Sequence, residues 1–204
     1  MRINKKKFIY LISPNKIDSQ FYIHLNKVLG TGKVSFFQMR LKSYSFNKKF
    51  LVGKKIKKIC KKNNVKFLVN DDPILTKKLD ADGCHLGQKD TDIIKARGII
   101  GNKIIGVPCH NSIRLARIAI KNEASYIAFG AFFSTKTKKI IRRATTKILN
   151  KAKMLTKTPL VAIGGINYSN YKKLLLNNAN FLAISSYVWN NKKYKPIESI
   201  EKLK

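Results

Sequence analysis

One pattern recurs eight times along this chain, and it restricts the possible folds more than any other feature. A short apolar run is followed by a longer stretch with helical spacing or helix-forming composition. The apolar runs fall at 7–13, 34–41, 65–70, 83–86, 103–107, 126–133, 160–164 and 181–185. The helical stretches fall at 19–29, 46–63, 73–79, 91–99, 112–122, 145–156, 168–177 and 196–203. Continuous apolar strands are covered on both faces, which marks a parallel sheet rather than a half-solvated antiparallel one. Eight strands, each followed by a helix, make a (β/α)8 TIM barrel, and 204 residues lie near the lower size limit of that fold. An open doubly wound sheet satisfies the same list, because a strand count does not prove closure. Helix-stop signals at Gly30, Gly98, Gly101 and Asn177-Asn178 agree with the parsing. No shift in composition marks a boundary, so residues 1–204 are expected to form a single domain.

A chain this long, 44% hydrophobic, can bury a substantial core. No apolar stretch reaches membrane-spanning length, and Met1 to Lys7 lack the apolar segment and cleavage site of a signal peptide. A soluble cytoplasmic protein is expected. Cys60, Cys84 and Cys109 are odd in number and have no CxxC spacing. They are therefore read as small buried apolar residues. Lys and Arg total 43 against ten acids, for a net charge of +33. Such a surface attracts anions of every kind. Only seven of the 43 are Arg, the usual reader of bases, and the Lys are spread over nearly every segment. Together with the abundant Asn, Ile, Phe and Tyr, they fit solvated helix faces in a composition favoured by A/T-rich codons. A nucleic-acid surface is the second reading.

Against that background two acids at strand ends stand out. Phe67-Leu68-Val69-Asn70 runs into Asp71, and Cys84-His85-Leu86-Gly87-Gln88-Lys89 runs into Asp90. Mg2+ is commonly held by one or two carboxylates plus substrate phosphates, so the pair suggests a metal–diphosphate site. The simpler alternative makes Asp71 a turn residue and Asp90 a helix cap. Other unusual polar residues fall on the same expected rim. Gln38, Arg40 and Lys42 follow the second strand, and Ser134 to Lys138 the sixth. Gly164-Gly165 follow the seventh, and Ser185-Ser186 the eighth. Active sites of this fold occupy that rim, with phosphate usually bound by the loops after strands seven and eight. Arg40, Lys42 and Lys138 supply cationic donors for a diphosphate, and Thr135 and Thr137 supply hydroxyls. His110 at a strand end is read as a general base or, as easily, a packed rim residue, and His85 as orienting the backbone before the Leu86-Gly87 turn; neither is assigned a catalytic role.

At these residues the chain resembles the thiamine-phosphate synthase family, from about Phe8 to Trp189. Q-x-R-x-K is present as Gln38, Arg40 and Lys42, N-D as Asn70-Asp71, and DG-x-H-x-GQ-x-D as Asp82 to Asp90. T-x-T-K is present as Thr135, Thr137 and Lys138, A-I-G-G-I as Ala162 to Ile166, and the eighth-strand signature as Ala183 to Ser186. Six short motifs in order carry the resemblance. It implies a (β/α)8 transferase that joins a hydroxymethylpyrimidine diphosphate to a thiazole phosphate and releases pyrophosphate. It further implies Mg2+ on Asp71 and Asp90. The pyrimidine diphosphate would be bound by Gln38, Arg40, Lys42, Asn70 and Lys138, with Arg40 and Lys138 also catalytic. The thiazole phosphate would be bound by Thr135, Thr137, Gly165, Ile184 and Ser185. Small-molecule substrates are the expected partners, with neither membrane nor specific nucleic acid, and a homo-oligomer is compatible. Three residues depart from the family pattern: Pro108 where a hydroxyl residue is common, Asp72 where Arg is common, and Ser134 where Pro is usual. A thiazole tautomerase of the same fold is the rival within the family, and Asp71, Asp90 and Thr137-Lys138 favour the synthase.

Overall fold

The computed structural model describes residues 7–134 and 143–203. Eight parallel strands close on themselves in chain order. They are β1 (Ile9–Ile12), β2 (Val34–Met39), β3 (Lys66–Asn70), β4 (Gly83–His85), β5 (Ile104–His110), β6 (Tyr126–Gly130), β7 (Leu160–Ile163) and β8 (Phe181–Ile184). Closure comes from β8 pairing back onto β1, with Leu182 opposite Ile9 and Ile184 opposite Leu11. This decides for the barrel over the open sheet.

The helices outside it are α1 (Ser19–Gly30), α2 (Phe46–Lys62), α3 (Pro73–Leu79), α4 (Ile93–Ile100) and α5 (Ile113–Lys121). After them come α6 (Thr146–Leu155), α7 (Tyr171–Leu176), α8 (Ser186–Trp189) and α9 (Pro196–Glu201). Five begin at a side chain that accepts the amide proton three residues on: Asp18, Ser45, Asp72, Asp92 and Ser112. Each cap satisfies an N–H that the first turn cannot pair internally. Among the described residues no helix is long and apolar enough to cross a membrane.

The period of two in the strands sorts side chains into two cores. Tyr10, Ile12, Leu68, Tyr126, Ala128, Val161 and Ala183 fill the barrel interior. Their neighbours Ile9, Leu11, Val69, Ile127, Ala162 and Ile184 face outward and pack under the helices. All three cysteines are buried and free.

The elements differ from the sequence expectation in three places. β5 runs on to His110, with its register against β6 shifting between Pro108 and His110. Proline cannot donate to the ladder, and an irregular pairing at that point accommodates it. β6 stops at Gly130 rather than 133, and α8 was not foreseen because four residues are too few to display a helical period.

Candidate active site

Asn70 closes β3, and Asp71 follows in the left-handed region at φ 64. Its amide donates to the His85 carbonyl at 2.8 Å, fixing the exit of β3 against β4. The bend presents the Asp71 carboxylate to Lys42, whose Nζ lies 3.0 Å from Oδ2. The loop after β4 turns tightly so that Asp90 Oδ2 accepts the Gly87 amide at 2.8 Å. A Cβ at Gly87 would press on Asp90 Oδ2 and lie 3.8 Å from Asp71 Oδ1, so the glycine leaves the Asp90 carboxyl free to turn back on its own loop.

The two carboxyls are neighbours: each has an oxygen within 4 Å of the space a Gly87 side chain would take. Burial, then the hydrogen bond and negative charge of Asp71, push the Asp90 carboxyl above its ordinary range. Burial acts the same way on Asp71, but hydrogen bonds from Asp90 and Lys42 outweigh it and hold that group below the carboxylate range. Neighbouring carboxylates repel, and a proton or a cation between them relieves the repulsion. Among the described residues no cluster of three or more His, Cys, Asp or Glu could form a metal site. Two oxygen-only ligands suit Mg2+, which retains waters and takes its other contacts from phosphate, so the donor set fits that ion.

Beside the acids, Gln38 on β2 is nearly inaccessible, at 2% exposure, and its Nε2 donates to Asn70 Oδ1 at 2.6 Å. The Arg40 amide donates to Ser13 Oγ at 2.9 Å, and its guanidinium reaches Asn15 Oδ1 at 3.4 Å. A cavity of about 350 Å3 opens next to Lys42, Asn70 and Asp71. Gln38, Lys42, Asn70, Asp71 and Asp90 thus form one group, with Arg40 at its edge.

Across the rim, Gly164 and Gly165 adopt φ 105 and 64. A Cβ on the first would strike Ala131, and one on the second Ser134 and Phe133. The Gly165 carbonyl accepts from Asn170 Nδ2 at 3.1 Å, and Ser185 Oγ donates to the Ser13 carbonyl at 3.1 Å. Ile184 belongs to the outer core, so it can meet a ligand only through its backbone. Thr135, Thr137 and Lys138 lie outside the described residues.

Two departures from the family pattern find local explanations. Asp72 Oδ1 caps α3 by accepting the Leu75 amide at 2.8 Å, so its charge serves the helix. Pro108, which lacks an amide proton, still offers its carbonyl, and Gln88 Nε2 donates to it at 2.6 Å. Sequence reasoning passed over Tyr10 and Tyr126, which lie in strand runs that read as plain core. Their hydroxyls hydrogen-bond at 2.7 Å beneath the acids, and Tyr126 also contacts His85 Nδ1 at 2.9 Å.

A family model described as thiamine monophosphate synthase matches residues 9–188. The chain belongs to that family. A thiamine-phosphate synthase of Pelagibacter ubique (strain HTCC1062) is 65% identical across the full length of both chains. One of Erythrobacter litoralis (strain HTCC2594) is 40% identical over 89% of this chain and 87% of its own length. Among solved structures, a thiamine phosphate pyrophosphorylase of Pyrococcus furiosus is 28% identical and superposes with a TM-score of 0.86, covering 98% of this chain and 94% of that one. In this thiamine monophosphate synthase family member, the matched segment contains every strand of the barrel and every candidate site residue.

Proposed function

We propose that this chain is a thiamine-phosphate synthase, a transferase that joins a hydroxymethylpyrimidine diphosphate to a thiazole phosphate and releases pyrophosphate. Family membership and the 65% identity to a synthase support the activity. The observation that supports the mechanism is the placement of the Asp71 and Asp90 carboxyls side by side at Gly87, with Lys42 3.0 Å from Asp71. Asp71 and Asp90 would hold Mg2+, and the bound ion would neutralise diphosphate oxygens.

The residues of the chain do the rest. Arg40, Lys42 and Lys138 donate to the departing diphosphate, whose accumulating charge is the main electrostatic demand of a dissociative substitution. Gln38 and Asn70 orient the pyrimidine, so that the methylene left by the diphosphate faces the thiazole nitrogen. Thr135, Thr137, Gly165, the Ile184 backbone and Ser185 hold the thiazole phosphate, in the region where this fold commonly binds phosphate. The chain acts as one domain, residues 1–204, in the cytoplasm on small-molecule substrates.

The test is a coupled assay of pyrophosphate release with both substrates and Mg2+. Pyrophosphate should form together with thiamine phosphate and cease on addition of EDTA. Isomerisation of the thiazole phosphate without pyrophosphate would instead identify a tautomerase. No turnover, with salt-sensitive RNA or DNA binding, would identify a nucleic-acid-binding protein.

A further inference from the structure

Beneath the acids, five side chains from five strands form one unbroken line of hydrogen bonds. Asn70 Oδ1 accepts from Gln38 Nε2 at 2.6 Å, and Gln38 Oε1 accepts from the Tyr10 hydroxyl at 3.0 Å. The Tyr10 and Tyr126 oxygens are 2.7 Å apart, and Tyr126 lies 2.9 Å from His85 Nδ1. Tyr10, Gln38 and Tyr126 are each at most 3% exposed, so water does not interrupt the line. β5 leaves room for it with Gly106, where a Cβ would collide with the Tyr126 ring.

A phenol carries one proton, so with the Gln38 amide oriented Oε1 toward Tyr10 the direction of every other link follows. Tyr10 gives its proton to Gln38, so toward Tyr126 it can only accept. Tyr126 therefore gives its proton to Tyr10, and can only accept from His85. His85 must then carry its proton on Nδ1. In the neutral imidazole a proton on Nδ1 leaves Nε2 with a lone pair. Asn70 uses Oδ1 for Gln38, which leaves its Nδ2 as a donor. Among the described residues the sole buried side-chain polar atom without a partner is the Tyr187 hydroxyl. Among the described residues no bond to His85 Nε2 or Asn70 Nδ2 is seen, and neither is a fully buried unpaired atom, so both remain available on the open side of the line.

We propose that Tyr10, Tyr126 and His85 are positioning residues that polarise this line in one sense, so that Asn70 presents a donor and His85 a hydrogen-bond acceptor to the pyrimidine substrate. The tautomer part stands on the free protein alone, whereas the substrate part rests on the synthase reading. Reversing any one link reverses them all, so the two ends are coupled through two tyrosines whose hydroxyls bond only within the line. A pyrimidine bearing an acceptor opposite Asn70 and a donor opposite His85 matches both ends at once.

Three histidines, His24, His85 and His110, make the test tractable. In the ligand-free full chain with 15N-labelled histidine, and with His85→Gln for assignment, the His85 signals should report the Nδ1–H tautomer. In Tyr10→Phe the Tyr126 proton loses its acceptor and turns to His85 Nδ1, so the ring should switch to Nε2–H, although residue 10 does not touch it. Tyr126→Phe should raise the KM for the pyrimidine diphosphate about tenfold, the worth of one to two hydrogen bonds, and leave the KM for the thiazole phosphate unchanged. A wild-type Nε2–H tautomer, or a tautomer insensitive to Tyr10→Phe, would overturn the proposal whether or not the protein turns over substrate. Equal effects on both KM values would reduce the tyrosines to packing.

Discussion

Asp71 and Asp90 come together through two residues chosen for backbone geometry. Asp71 itself adopts the left-handed conformation, and Gly87 has no side chain to press on the Asp90 carboxyl. Scarcity of acids drew attention to both, but the turn-and-cap alternative for Asp90 was wrong in part: Asp92, not Asp90, caps α4. Asp90 instead closes its own turn on the Gly87 amide, with the Asp71 carboxyl close by. Replacing either acid by Asn removes a charge and leaves the shape. Asp71→Asn and Asp90→Asn should each lower kcat/KM about 100-fold at limiting Mg2+, within the range for losing one preorganised electrostatic contact. A Mg2+ titration of pyrophosphate release checks this, because excess Mg2+ should recover part of the loss. An unaltered Mg2+ dependence in either variant would remove that residue from the metal site.

At the scale of elements, most of the polar residues that begin helices serve the helices. Asp72 is the clearest case, since a family comparison made it a charge reversal beside the metal and its carboxylate proves to cap α3. Asn is as good a cap as Asp, whereas Ala is not. Asp72→Asn should therefore keep both stability and the KM for the diphosphate substrate. Asp72→Ala should lose about 1 kcal/mol of unfolding free energy by denaturant titration, with kcat within about twofold of the parent. A large fall in KM for Asp72→Asn would show that the charge reaches the site after all. The short α8 follows β8 directly, and its approach is fixed by Ser185 bonding to the Ser13 carbonyl and by Trp189 Nε1 donating to the Ile12 carbonyl at 2.6 Å. Those bonds join the last strand to the first, so this element exists because the barrel closes.

Over the whole molecule, charge and burial set how stability responds to solvent. The unfolded chain protonates His85 near 6.5, but burial delays this in the fold to about 4. The unfolded state thus binds more protons in that window, so stability is complete above pH 6.5 and declines as pH falls to 4. Asp80 adds a second, lower step. Hydrogen bonds from Lys103 and Lys57, with their charge, lower its pKa from 3.8 to about 2, so its contribution is present above pH 3.8 and disappears as pH falls through 2. Thermal melts against pH should show both steps, and His85→Gln should flatten the first while keeping the second. With a net charge of +33 and five ion pairs among the described residues, repulsion between lysines is largely uncompensated. Raising salt from about 0.01 M to about 0.15 M shortens screening from roughly 30 to 8 Å and should raise the Tm. A Tm that falls over that range would mean that the ion pairs outweigh the repulsion.

The sequence by itself determined the succession of strands and helices, the rim on which the polar motifs fall, and the family. Parallel strands buried on both faces must be apolar throughout, and helix caps are local chemistry, so both leave a signal within a few residues. Only the tertiary structure decided closure, because the pairing of Leu182 with Ile9 joins opposite ends of the chain and leaves no local trace. The same reason hid the placement of Asp71 beside Asp90 and the diversion of Asp72 to α3. It also hid the line from Asn70 through Tyr10 and Tyr126 to His85, whose members stand on β1, β2, β3, β4 and β6. In an apolar strand a tyrosine reads as core until the barrel closes and shows which hydroxyl its own can reach.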